Sequence, residues 1–268
     1  MATEAEACFA MLRQPGAALR GLVSRIGGYQ ENGRRLLGVI EMASLVVPLI
    51  ISFGAPYAIA LGRAPRKGDD YASFTAGIYP GHVAIDSTGR SACIQIDFTP
   101  LGAYRFFGLP MHEISARMVH LDDLRDADIA VLRRRLEDIE DWNRRLHLAE
   151  AFVVERLRQR RAVSAGVASA YRELAFYHGN VRVAAIARRL DWSRKHLAQR
   201  FREEIGVSPK QVARILRFNR LLDVAQREES PDWAGLAAEC GYADQAHMTR
   251  EFAEFAGTTP TRWAMQAA

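Results

Sequence analysis

The stretch IARRLDWSRKHLAQRFREEIGVSP, residues 186–209, carries the pattern on which the reading of this chain turns. Its apolar positions Ile186, Ala187 and Leu190 fall on one side of a short helix that opens near Ala184. Asp191-Trp192 interrupts that helix, and Ser193 is a good N-cap for a second one that runs through Leu197, Phe201 and Ile205 to Gly206. Two short helices around a tight turn, the second rich in outward Arg, Lys, His and Gln, make a helix-turn-helix. The unit recurs. Trp233 to Glu239 is a first helix, Cys240-Gly241-Tyr242 a turn, and Asp244 caps a helix through Met248, Phe252 and Phe255 to Gly257. Each unit closes with Gly-x-[Ser/Thr]-Pro, at Gly206 to Pro209 and at Gly257 to Pro260. Between them, Pro209 to Gln226 reads as an amphipathic helix burying Val212, Ile215, Leu216, Leu221 and Leu222.

Charge is distributed unevenly over this region. The chain nets +5, yet residues 181–220 hold eleven Arg or Lys against three acids, while residues 221–268 hold three bases against eight acids. Such a block is a candidate electrostatic footprint for nucleic acid. A solvated basic face gives the same count, so charge alone leaves both readings open.

Working toward the N-terminus, residues 162–170 are small and uncharged after Arg160-Arg161, either a linker or the opening turn of a helix. From Arg125 the apolar residues Ile129, Leu132, Leu136 and Ile139, then Leu146, Val153 and Leu157, recur at helical spacing, which predicts helices over 123–140 and 143–161. Their stripe is wide enough to seat a second copy, with Asn143 in line to set its register, or to pack on the protein's own sheet. Between Leu36 and Phe107 the texture is short β-branched and aromatic runs bounded by Gly and Pro, at 36–41, 45–53, 57–61, 74–79, 82–86 and 92–98. These predict an antiparallel sheet or small barrel. Residues 1–30 are a loosely structured lead-in to which no element is assigned.

The 268 residues, 25% charged and 49% hydrophobic, have an ordinary composition and a length that suits two domains. Cys8, Cys93 and Cys240 are too few and scattered for a disulfide framework, and no CxxC pair points to zinc. The longest apolar run, residues 43–53, holds Pro48 and falls short of the roughly 20 residues a membrane span needs. Glu4 and Glu6 stand where a signal peptide would carry bases. A reducing cytoplasm is the expected compartment, with no membrane partner.

The first unit, the connecting RILRFNRLLDVA and the second unit LAAECGYADQAHMTREFAEFAGTTPTRW together resemble the AraC/XylS-type DNA-binding domain of bacterial transcription regulators. The resemblance covers about the last hundred residues. It implies a sequence-specific DNA-binding regulator, activator or repressor, whose first recognition helix points Arg194, Lys195, Ala198 and Gln199 into the major groove. Lys and Arg suit guanine O6/N7 and Gln suits adenine N6/N7, although Arg194 and Lys195 serve equally as phosphate contacts. Arg200 and Arg202 lie next along the helix, toward phosphate or solvent. The matching positions in the second unit are Gln245, Ala246, Thr249 and Arg250, with Arg250 the base expected to anchor it. His196 and His247 also match each other and read as surface or partly packed residues. Two departures stand out: Asp191 occupies a turn position where the family usually has Gly, and the second unit is acidic. Asp tolerates the left-handed backbone better than most residues.

The block from Ala72 to Leu124 is similar to the β-rich, cupin-like domain that precedes this module in many such regulators, which implies a sensing or assembly role. The chain is therefore expected to be α+β, with a barrel-like, cupin-like antiparallel β domain and trailing helices over 1–161 and an all-α domain with two helix-turn-helix units over 162–268. The units are placed at about 184–205 and 233–256. A metal-dependent cupin enzyme needs a His-x-His, but His82 is followed by Val83 and Ala84, and His112 and His120 lie beyond the strands. No Walker loop, dinucleotide fingerprint or nucleophile elbow is present, and Asp69-Asp70 and Asp122-Asp123 read as loop and helix-start acids. Gly102 is expected to open a helix after a strand. The expectation is a non-enzyme without metal or cofactor, whose partners are double-stranded DNA, RNA polymerase, a small-molecule effector and a second copy of itself. A contrasting reading is a ligand-binding or assembly protein whose helix-turn-helix pair serves as a protein-interaction surface.

Overall fold

The computed structural model describes residues 8–228 and 230–267, so Glu4, Glu6 and Glu229 lie outside the described residues. Two antiparallel sheets form the N-terminal half. Its strands are β1 (Cys8–Arg13), β2 (Val23–Glu31), β3 (Val39–Glu41), β4 (Val47–Ser52), β5 (Tyr57–Leu61), β6 (Asp70–Tyr71), β7 (Phe74–Ala76), β8 (Val83–Asp86), β9 (Ala92–Phe98) and β10 (Met118–His120). One sheet has six strands in the order β1-β2-β9-β4-β7-β10, the other four in the order β3-β8-β5-β6. The sheets are not closed on each other, so the expected barrel is two sheets facing across a cavity.

Alternation along the strands sorts the six-stranded sheet into two faces. Val47, Leu49 and Ile51 of β4 and Ile94, Ile96 and Phe98 of β9 join the main hydrophobic core, beneath the helices. Pro48, Ile50, Cys93, Gln95 and Asp97 point the other way, into the cavity. Strands β1 and β2 occupy part of the lead-in, where the sequence pattern predicts no element. Gly27-Gly28 in the middle of β2 hides its strand character, and packing explains it: a Cβ on Gly28 would stand 2.7 Å from the Trp142 ring. An indole lies directly on the strand there, a contact with no local signature.

The seven helices that the sequence predicts in outline are present, and side-chain caps account for the starts of six of them. Thr99 accepts a hydrogen bond from Gly102 N and opens α1 (Pro100–Phe107), so Gly102 does sit at a strand-to-helix junction. Asp126 and Asp141 cap α2 (Ala127–Glu137) and α3 (Trp142–Gln159). Asp126 also holds Arg156, a 5%-exposed arginine of α3 whose Nε donates to the carbonyl of Phe106 at 2.8 Å, so one guanidinium ties α1, α2 and α3 together. The α2–α3 stripe is covered by the protein itself: Leu146, Ala149 and Val153 are at most 1% exposed, whereas Asn143 is exposed. A dimer seam on that stripe, with Asn143 as its register residue, is thereby corrected.

The C-terminal half is helical: α4 (Ala165–Phe176), α5 (Val183–Arg189), α6 (Arg194–Glu204), α7 (Pro209–Ala225), α8 (Trp233–Glu239), α9 (Gln245–Ala256) and α10 (Pro260–Ala267). The small residues 162–170 are thus mostly the opening of α4, and α10 extends the chain beyond the second unit. One hydrophobic core runs from Leu19 to Ala256 across both halves. A backbone hydrogen bond from Ala43 N to Phe255 O, 2.9 Å, joins them directly.

A Cβ at Gly102 would overlap the carbonyl oxygen of Leu22, which is backbone and cannot swing away. Gly102→Ala is expected to destabilise the protein by about 1–3 kcal/mol, read as a shift in the urea midpoint. Ala substituted at Gly38, where a Cβ meets nothing, would cost only the strain of its positive φ.

Candidate nucleic-acid interface

The two turns are built alike. In the first unit, Asp191 takes φ +54°, its N–H donates to Arg188 O at 3.1 Å, and Trp192 N donates to Ala187 O at 2.9 Å. In the second, Gly241 takes φ +78°, donates to Ala238 O at 3.1 Å, and Tyr242 N donates to Ala237 O at 2.9 Å. A left-handed residue is required at this point of each turn, and Asp supplies it in one and Gly in the other. Ser193 and Asp244 then accept from His196 N and His247 N, at 3.1 and 2.6 Å, capping α6 and α9. Both helices close on a left-handed or positive-φ glycine, Gly206 and Gly257. Beyond the first, Ser208 and Gln211 form a reciprocal capping box at the start of α7.

Leu197 and Phe201 turn α6 inward, as Met248, Phe252 and Phe255 turn α9, and these burials decide what is left outside. Arg194, Lys195 and Gln199 are exposed on α6, with Ala198 half-buried beside them. Gln245, Ala246 and Arg250 are exposed on α9, with Thr249 half-buried. The two sets share the spacing i, i+1, i+4, i+5 and so occupy corresponding faces of the two helices. His196 is exposed, edge-on to the Trp192 ring at 4.6 Å, and His247 packs edge-on to Tyr242 at 5.4 Å.

Arg200 is placed differently from its neighbours. Its guanidinium pairs with Glu203 at 2.9 Å and with Glu204, and Glu204 in turn accepts from both the backbone N–H and the hydroxyl of Ser164. That draws Arg200 toward the start of α4. Of the eleven bases counted in residues 181–220, five are in ion pairs. Arg189 pairs with Glu173 and Arg200 with the glutamates above; Arg214 with Glu251 (2.7 Å) and Glu254 (2.5 Å); Arg217 with Glu251 (3.4 Å); and Arg220 with Glu239 (3.4 Å). Thus three bases of the positive block neutralise acids of the second unit. Among the described residues, no ion pair involves Arg182, Arg188, Arg194, Lys195, Arg202 or Lys210, nor Arg250 on α9. The positive surface available to an anionic partner is narrower than the sequence count and centres on the first unit.

A family model described as a helix-turn-helix domain matches residues 186–266. The C-terminal region is an AraC-type helix-turn-helix domain. No curated protein matches the chain. Among solved structures, ToxT from Vibrio cholerae O395 is similar over 87% of this chain and 96% of its own, at 12% identity and a TM-score of 0.46. The C-terminal domain of AraT, a response regulator from Geobacillus stearothermophilus, is similar over 39% of this chain and 87% of its own (20% identity, TM-score 0.36). The AraC-like transcriptional activator CuxR is similar over 82% and 87% respectively (17% identity, TM-score 0.25).

The AraC-type domain meets the N-terminal half at the closing glycines of its two units, a contact that the sequence pattern does not reveal. Gly257, the closing glycine of α9, lies against the His82 ring, where a Cβ would come to 2.8 Å. Gly206, which closes α6, lies against Met111 and Ser115. Beneath this seam is a cavity of about 850 Å³ between the sheets, bordered also by Asn219, Leu222 and Asp223 of α7 and by its C-cap Gln226. On its sheet wall Tyr57 Oη lies 3.6 Å from Cys93 Sγ, and burial pushes that thiol up to about 11, so it stays protonated at neutral pH. Among the described residues no group of three or more His, Cys, Asp or Glu is arranged to hold a metal ion, and no helix is long and apolar enough to cross a membrane. A signal for the ion-pair row was available: Arg214, Arg217 and Arg220 recur every third residue along one helix, with the acids Glu239, Glu251 and Glu254 on the two helices that follow.

Glu251 is 2% exposed while its partners Arg214 and Arg217 retain 24% and 16%. Removing it leaves the half-buried Arg217 without its ion-pair partner and Arg214 with Glu254 alone, so Glu251→Ala should cost about 3 kcal/mol in chemical denaturation. Glu254, 47% exposed on the same Arg214, should cost under about 1 kcal/mol as Glu254→Ala. Equal costs for the two would contradict this account of α7.

Proposed function

We propose that this protein is a sequence-specific regulator of transcription that binds duplex DNA through α6 and α9 and responds to a small molecule through its N-terminal half. The observation that carries the reading is the paired set of exposed side chains, Arg194, Lys195, Ala198 and Gln199 against Gln245, Ala246, Thr249 and Arg250, on two similarly capped helices of an AraC-type domain. Base edges in two successive major-groove segments are what such a pair can reach. Arg202, Arg188 and Arg182 are exposed around the first unit and suit phosphate oxygens. Arg200 supports the interface by position, since its guanidinium is already shared with Glu203 and Glu204.

The domain division we adopt falls near residue 162, just before Ser164 and α4. The effector site is the cavity between the sheets. Because α7 forms part of its wall, and α7 is also the helix between the two units, an occupant contacts the element that sets their spacing. The protein acts without catalysis, metal or cofactor, and in the cytoplasm. Activation would add RNA polymerase as a partner, and a second copy would have to dock elsewhere than on the α2–α3 stripe, which is buried.

Electrostatics supplies the first test. With several free bases on and around α6, affinity for a specific duplex is expected to fall roughly a thousandfold between about 50 and 200 mM salt, read by fluorescence anisotropy. A flat salt response would remove the DNA-binding reading and leave the helix pair as a protein-interaction surface. The second test is the inequality of the units. Lys195→Ala and Gln199→Ala should each relax base preference in one half of the site, by about 1–3 kcal/mol per good contact. Arg250→Ala should change affinity less. If Arg250→Ala abolishes binding while Lys195→Ala is silent, the anchor lies in the second unit.

A further inference from the structure

The cavity between the sheets has a definite chemical character. At about 850 Å³ it falls in the range of small-molecule sites, and its body is apolar and aromatic: Ile50, Ile59, Phe74 and Tyr57 line it alongside Leu222 of α7. Its charged lining is one-sided. Glu41 on β3, Asp97 on β9 and Asp223 on α7 border it, with Arg25 on β2 the cation among its lining residues. That cation is already committed: Arg25 Nε donates to Asp97 Oδ2 at 2.7 Å, and Asp97 Oδ1 accepts from Gln95 Nε2 at 2.9 Å. Glu41 has neither a hydrogen bond nor an ion pair from its carboxylate among the described residues. Glu41 is exposed as a residue, and the protein crowded around its carboxyl, followed by the charge of Asp97, raises that group above the usual carboxylate range, with Arg25 opposing. Glu41 and Asp223, both exposed, and the 4%-exposed Asp97 thus place three carboxylates on the cavity against one guanidinium that is already paired, an arrangement that a ligand cation relieves and a ligand anion worsens.

Resting on the effector reading of this cavity, we propose that its ligand is an organic cation: an ammonium group carried on an apolar or aromatic body, with the ammonium against Glu41 and Asp97 and the body against Ile50, Ile59, Phe74 and Tyr57. The aromatic side chains add faces on which a cation is attracted. Asp223 and Gln226 bring α7 to the same ligand, so the occupied and empty states differ at the helix between the two DNA-reading units.

Three probes of one shape and different charge test this on the full chain by titration calorimetry: tryptamine as the ammonium, indole-3-propionate as the carboxylate and tryptophol as the neutral alcohol. Tryptamine is expected to bind at least about tenfold tighter than either of the others. Glu41→Gln should cut tryptamine affinity by about the same factor and leave tryptophol unchanged, and the ranking on the unsubstituted protein stands whether or not that variant folds. Tightest binding by indole-3-propionate, or equal binding by all three, overturns the cation assignment while the cavity remains an effector site. Failure of all three to bind the folded protein overturns the effector reading with it.

Discussion

Glu251 is almost completely buried, and two arginines of α7 reach it from the neighbouring helix. The arrangement of the AraC-type domain depends on that contact. A buried carboxylate with one cation removed is among the more destabilising single defects a small domain can carry. By meeting Arg214 and Arg217 it fixes α9 on α7, while Arg220 meets Glu239 and fixes α8. Phe218 packs edge-on between Phe252 and Phe255 at 5.4 and 5.3 Å, so the ion pairs sit over an aromatic cluster that excludes water from one side of them. The spacing between α6 and α9 is then a property of a rigid strut, and their exposed side chains are presented by helices that cannot slide independently.

The same strut faces the N-terminal half. Leu222 and Asn219, one helical turn apart, border the cavity, and Ala43 is hydrogen-bonded to the last turn of α9. On the proposed effector reading, a change in the occupancy of the cavity would act on packed helix surfaces and not through a flexible connection. Close-packed interfaces of this kind respond by shifting between discrete arrangements. Met111 and Ser115 beside Gly206, and His82 beside Gly257, place a contact from the N-terminal half at the closing glycine of each recognition helix. Each unit thus has its own point of attachment to the N-terminal half.

The electrostatic reading of the sequence was sound in sign and too generous in extent. Counting bases by position in the chain treats each as free, yet Arg214, Arg217 and Arg220 face acids that lie 19 to 40 residues further on. Such pairing depends on how α7, α8 and α9 pack, and a linear count has no access to it. Arg200 shows the same effect within one helix, since Glu204 stands four residues away and is itself fixed by Ser164. In the other half, Gly27-Gly28 concealed β2 because a strand with no side chain at its centre has no alternation to read. The α2–α3 stripe was legible as apolar, but a stripe does not say whether its cover is a partner or the protein's own sheet.

Local chemistry determined what the sequence determined. The caps Ser193, Ser208, Asp126, Asp141 and Asp244, the left-handed turn residues Asp191 and Gly241, and the helical and alternating periods each act within a few residues. They place the two helix-turn-helix units, the exposed faces of α6 and α9, and the strands β5 and β9 at their observed bounds. Tertiary structure alone decided which charges remain available, which face of the six-stranded sheet lines a cavity, and that this cavity is shared with α7. Those features arise where residues far apart in the chain meet, Arg25 with Asp97 and Glu41, or Asp223 of α7 across from β9. The energy of such meetings depends on distance and burial in three dimensions, quantities that a sequence carries only through the fold it specifies.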